Sequence, residues 1–172
     1  IFAVFANSAG AATRKNLSLD EDGRLYDVTT AGAAANIGLA YTVLQNPVFH
    51  GGAAASAATA VYTGLVIIPD SSGNNRPKKY DGTTLSDLGG DAPGGRYAAV
   101  YKDFTVLGNG LSGVVGSEDA SHRLSRIWFS PEGDPDGATG DWDVANSWID
   151  FSQPVRRFGV TRNALRVGGD HR

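Results

Sequence analysis

A chain of 172 residues with a net charge of −3 is long enough for one domain with a hydrophobic core, and it lacks the basic excess of a nucleic-acid surface. The absence of cysteine excludes a disulfide framework, a thiolate metal site and a cysteine nucleophile. A hydrophobic share of 41% with 23 glycines fits an ordinary globular composition with frequent turns.

The chain opens on the apolar run Ile1-Phe2-Ala3-Val4-Phe5, which is too short to span a bilayer and has no basic flank. Neither a signal peptide nor membrane insertion is expected. Because methionine is absent, the chain is expected to be a processed product or an excerpt of a longer polypeptide. Ile1–Ala6 is predicted as a strand, and Leu17–Leu19 begins another. Asp22-Gly23 signals a tight turn into the alternating strand Arg24–Val28, and Asn36–Leu44 continues the pattern. The Ala-rich Gly51–Val61 favours helix by propensity, yet without a large apolar stripe it equally suits a connector. Gly64–Pro69 is a continuous apolar run of the kind that packs on both faces. The polar loop Asp70–Arg76 leads to Lys78-Lys79-Tyr80, and Asp81-Gly82 makes a second turn. Tyr97–Leu107 reads as a strand pair broken at Lys102-Asp103, and Asn109-Gly110 starts a loop. Arg126–Ser130 and Trp148–Phe151 are strands flanking a Gly/Asp/Pro-rich excursion, and Val155–Val167 is the last strand segment.

A basic residue followed within two positions by an aromatic recurs at Arg24-Leu25-Tyr26, Lys78-Lys79-Tyr80 and Arg126-Ile127-Trp128. The aromatics lie about 50 residues apart, a spacing typical of blade-sized all-β repeats. The expected fold is all-β, built of antiparallel meander repeats in a β-propeller-like arrangement that missing segments or neighbours could complete. The repeat-like units fall near 1–63, 64–96 and 97–154, with a partial unit at 155–172, in a single domain or a fragment of a larger one. An ordinary β-sandwich is the alternative.

Few residues carry recognisable chemistry. Glu132, Asp134, Asp136, Asp141 and Asp143 crowd one excursion, with Asp134, Asp136 and Asp141 as candidate calcium ligands. The twelve-position spacing with a closing glutamate is absent, and Asp, Pro and Gly are also what a long hairpin uses to turn. His50, His122 and His171 have no metal-pair spacing and read as loop residues. Ser121-His122 is not the geometry of a nucleophile and its base. The glycine-rich pieces at Leu88–Gly90, Gly94–Arg96 and Leu107–Gly110 lack the Gly-Lys-Ser/Thr of a P-loop. No catalytic role, enzyme activity or cofactor is expected; a glycoside hydrolase would need a pair of carboxylates that nothing singles out. Tyr80, Trp128, Trp142 and Trp148 are expected as packing or interface residues, with a sugar-stacking platform as the alternative for the tryptophans. Arg156 and Arg157, together with Arg162, Arg166 and Arg172, form a basic segment suited to a solvated or interface face.

The pattern Lys79-Tyr80-Asp81-Gly82-Thr83-Thr84, then Leu88-Gly89-Gly90, Pro93 and Arg96–Lys102, resembles bacteriophage tail proteins with β-propeller-like domains. Arg126–Ser130, Gly133-Asp134-Pro135, Trp142-Asp143, Asn146–Asp150, Pro154-Val155 and Thr161–Leu165 are similar to the same proteins. The resemblance covers roughly Gly64–Leu165. It implies a structural part of a virion tail (nozzle, hub or adaptor) that forms a homo-oligomeric ring or a complex with other tail proteins. It implies no catalytic residue and no cofactor. The partners expected on this reading are other copies of the chain, other tail proteins and a host surface receptor, with no sequence-specific nucleic acid. A carbohydrate- or receptor-binding β module is the alternative.

Overall fold

Fourteen strands account for all the regular structure among the described residues, and every pairing is antiparallel. The computed structural model describes residues 2–6, 12–39, 48–50, 64–70, 72–110, 124–136, 142–161 and 163–169. The Ala-rich segment Gly51–Val61 lies outside them.

Three sheets have four strands each, and in each the strands follow chain order as a meander. The first contains β1 (Phe2–Ala6), β2 (Ala12–Leu19), β3 (Arg24–Asp27) and β4 (Ala35–Leu39). The second contains β5 (Val48–His50), β6 (Leu65–Ile68), β7 (Lys78–Tyr80) and β8 (Leu85–Asp87). The third contains β9 (Tyr97–Tyr101), β10 (Phe104–Gly108), β11 (Arg126–Phe129) and β12 (Trp148–Asp150). A fourth sheet is the hairpin β13 (Arg157–Thr161) and β14 (Ala164–Gly168).

Sheet boundaries differ from the expected units, because Val48–His50 of the unit 1–63 pairs with β6 in the second sheet, whereas the basic–aromatic steps keep their spacing. Those steps nevertheless occupy one structural position: Arg24–Tyr26, Lys78–Tyr80 and Arg126–Trp128 lie on β3, β7 and β11, the third strand of each meander. The segment Tyr97–Leu107 is the hairpin β9–β10, turning at Lys102-Asp103 with Lys102 at φ 53°. Val155–Val167 likewise resolves into a hairpin.

Successive sheets stack through shared apolar clusters, and β6 shows why its sequence is apolar without interruption. Val66 and Ile68 join Leu17, Leu25 and Tyr80 between the first and second sheets. Leu65 and Ile67, on the opposite side of the same strand, join Leu107, Trp128 and Trp142 between the second and third. The third sheet repeats the device: Leu107 and Trp128 face the second sheet, while Val106 and Ile127 join Val155 beneath the β13–β14 hairpin. Each buried Leu, Ile or Val side chain contributes about 1.5–3 kcal/mol of burial, so these clusters rather than the short ladders hold the sheets in register.

Aspartate carboxylates organise the turns by accepting backbone N–H groups that the sheets leave unpaired. Asp70, almost fully buried, accepts from the N–H groups of Ser72, Asn74 and Asn75 and from the Ser72 hydroxyl. Burial alone would push its carboxyl up; the bonds from Ser72 and Asn75 outweigh that and hold it below the usual range. Asp81 does the same for Thr83 and Thr84 between β7 and β8.

Candidate functional site

The acidic excursion after β11 is the place where sequence concentrates carboxylates, and the fold turns Asp136 inward while Glu132 and Asp143 stay exposed. Lys79, on β7, shares a face with its cross-strand partner Ile67 and points toward the third sheet. Its Nζ forms an ion pair with Asp136, and the other Asp136 oxygen accepts the Gly89 N–H at 2.7 Å. A Cβ at Gly89 would stand 2.4 Å from the Asp136 carbonyl oxygen, so a side chain at that position would force the excursion away. Asp134 is buried, with its N–H bonded to the Pro131 carbonyl. The buried Trp142 donates its indole N–H to the Pro135 carbonyl at 3.0 Å. Asp141 lies outside the described residues. Among the described residues no group of three or more His, Asp or Glu side chains is placed to hold a metal.

The basic residues of the third strands have a role that their spacing alone did not reveal. Arg126 sits directly opposite Asp150 on β12 and holds it through two bonds, Nε to Oδ1 at 2.7 Å and Nη2 to Oδ2 at 2.8 Å. Its guanidinium carbon stacks 3.7 Å from the centroid of the Trp148 ring. Lys78 sits opposite Asp87 on β8 in the equivalent register and pairs with it at 2.6 Å. In the first sheet Leu39 occupies that register, and Arg24 turns to Asp22. The signal was available in principle, as an acid on the fourth strand answering the base on the third, but it depends on knowing the register.

The aromatic candidates divide by sheet face. Tyr80 is buried between the first and second sheets, where its hydroxyl accepts from Lys15 Nζ at 3.0 Å and donates to the Gly82 carbonyl at 2.9 Å. Lys15 also pairs with Asp27 at 2.9 Å. The bond to Tyr80, then that to Asp27, raises the ammonium of Lys15 above its ordinary value. Trp128 and Trp142 are buried between the second and third sheets, and the half-buried Trp148 packs against them.

An open cleft of about 540 Å³ is lined by Val48, residues 96–100 and the start of β13. It forms where first strands meet, since β9 lies against both β5 and β13. Arg96, Arg156 and Arg157 line it, along with Tyr97, Phe158 and Val160. Arg96 donates from Nη2 to the Ser72 carbonyl at 3.4 Å, and its buried Nε has no hydrogen-bond partner among the described residues. Among the described residues that line it there is no carboxylate, histidine, serine or lysine, so its described walls are cationic, aromatic and apolar. Arg162, Arg172, His122 and His171 lie outside the described residues, as does the side chain of His50.

Comparison of the chain with protein-family models, with curated proteins and with solved structures finds no match.

Proposed function

We propose that the chain is a structural component of a bacteriophage tail, with propeller-like stacked meanders, that works by assembling with copies of itself and with other tail proteins. The observation that carries the structural half of this reading is the succession of four-stranded meanders whose shared apolar clusters join each sheet to the next. Convergence of β5, β9 and β13 on one cleft is what a propeller-like arrangement would produce, with first strands innermost. Asp70, Asp81 and Asp136 are engaged in turns and a staple. The tail assignment rests on the motif resemblance over Gly64–Leu165.

Trp128 and Trp142 would have to leave the core to offer a sugar a flat face, and the Arg126 guanidinium already stacks on the half-buried Trp148 ring. Native mass spectrometry of the purified chain, paired with peptide mapping of purified virions, tests the proposal. Closed oligomers together with peptides of this chain in tails are the expected result. A stable monomer that never appears in virions would remove the reading.

A further inference from the structure

Residues 96–100 line the open cleft in unbroken succession along β9, with Val48 of β5 on one side and β13 on the other. A run of successive residues places the cleft along the edge of the strand rather than over one of its faces. Alternation sorts the side chains that reach it. Ala98 packs with the cluster toward the second sheet, so Arg96, two residues away, shares that side. Tyr97 packs instead with the cluster toward the β13–β14 hairpin. Arg96 therefore enters the cleft from the side of the second sheet, and Arg156 and Arg157 enter it from the side of the hairpin.

The space between these arginines has the size and the access of a ligand site. Its volume of about 540 Å³ lies within the range of small-molecule pockets. Arg156, Arg157 and Val160 are exposed, so the cleft opens to water. Arg96 is half-buried and set in place by the second sheet. Its Nη2 donates to the Ser72 carbonyl, in a turn that Asp70 fastens by accepting the N–H groups of Ser72 and Asn75. A guanidinium fixed in this way loses less freedom when a ligand arrives.

We propose that the cleft binds a small anionic molecule, a carboxylate or a phosphate carried on an apolar or aromatic body. The cations among its described lining residues are all arginines. A guanidinium presents its N–H groups as a planar fork that matches the paired oxygens of a carboxylate or phosphate, whereas an ammonium is a point charge. It also carries several donors, so an arginine that already holds a protein partner can still give one to a ligand. Tyr97, Phe158, Val48 and Val160 supply the apolar part of the wall. A bare ion would leave that wall in water, and an apolar body joined to the anion would cover it. The site does not depend on the tail assignment.

The test titrates the whole chain, isotope-labelled for amide NMR, with phenyl phosphate, benzoate, inorganic phosphate and benzyl alcohol. Saturable shifts of the backbone amides of residues 97–100 and 157–160 with phenyl phosphate or benzoate are the expected result, and the tighter of the two names the anion. Inorganic phosphate, which lacks the body, and benzyl alcohol, which lacks the charge, should each bind at least about tenfold more weakly. Arg156→Gln and Arg157→Gln, both at exposed positions, should each weaken the better probe about fivefold and leave the rest of the amide spectrum unchanged. No saturable binding of either anionic probe to the unmodified chain overturns the proposal, and so do shifts centred away from the cleft. Equal binding of benzyl alcohol removes the anion, and equal binding of inorganic phosphate leaves an adventitious ion only; each overturns the proposal. Unchanged affinity in both variants takes the arginines out of the site and overturns it as well. A chain absent from virions that still takes the probes loses the tail reading and keeps this one, and the converse result separates them the other way.

Discussion

The two faces of the third sheet are made from alternate residues of the same strands, yet one is closed and the other is half open. Toward the second sheet, Leu107 and Trp128 are sealed under Trp142 and the excursion that Asp136 staples to Lys79 and Gly89. Toward the fourth, Ile127 and Val106 are buried while Ile149, one strand further out, stays in water. Apolar content does not distinguish them. What differs is the number of strands opposite among the described residues: four on one side and two on the other. Local amphipathic pattern therefore says that a face can be buried, and the count of neighbouring strands says whether it is.

Substitutions on the two faces can break or sharpen this contrast. Trp128→Ala should have the largest effect, about 3–5 kcal/mol of stability by the usual cost of emptying a buried aromatic site, read as a lower urea midpoint. A loss below about 1 kcal/mol would mean that the closed face is not what holds the sheets together. Asp136→Ala should cost about 1–2 kcal/mol, because it leaves the mostly buried Lys79 ammonium and the Gly89 N–H without their acceptor. Faster amide exchange at Gly89 and in the excursion, with the first sheet unchanged, would localise that effect to the closed face.

The junction of the first and second sheets offers a third case, with a polar rim at Lys15, Asp27 and Tyr80. Hydrogen bonds from Thr29, then from Lys15, hold the Asp27 carboxyl at about 2, below its ordinary 3.8. A lowered carboxylate value stabilises the folded state above the unfolded value and loses that contribution as pH falls through the folded one. Stability should therefore drop between pH 3.8 and about 2, by roughly 1 kcal/mol after allowing for partial exposure, and Asp27→Asn should flatten that segment of the profile. Ile149→Ser should have the smallest effect, within about 0.5 kcal/mol, because its side chain gains little from folding alone. A cost comparable to that of Trp128→Ala would show the open face to be covered already.

Several elements were legible from the letters, and their legibility has local causes. Gly64–Pro69 is apolar at every position because β6 packs on both sides, and Asp22-Gly23 and Asp81-Gly82 turn because Gly23 and Gly82 adopt φ of 81° and 97°. By contrast, β5 and β8 escaped notice: three residues each, at the margins of their sheet, are too few to display a period. The excursion was legible as acidic, and its calcium-like letters gave no hint that Asp136 meets Lys79.

By itself the sequence determined an all-β chain of short antiparallel strands, the turns between them and a recurring third-strand step, because alternation and turn chemistry act over a few residues. Only the tertiary structure decided which carboxylate answers which base, as in Arg126 with Asp150, and which apolar residues remain in water, as with Ile149. Register and stacking are settled by burial between segments distant in sequence, where a shift of one residue would turn each side chain to the opposite face.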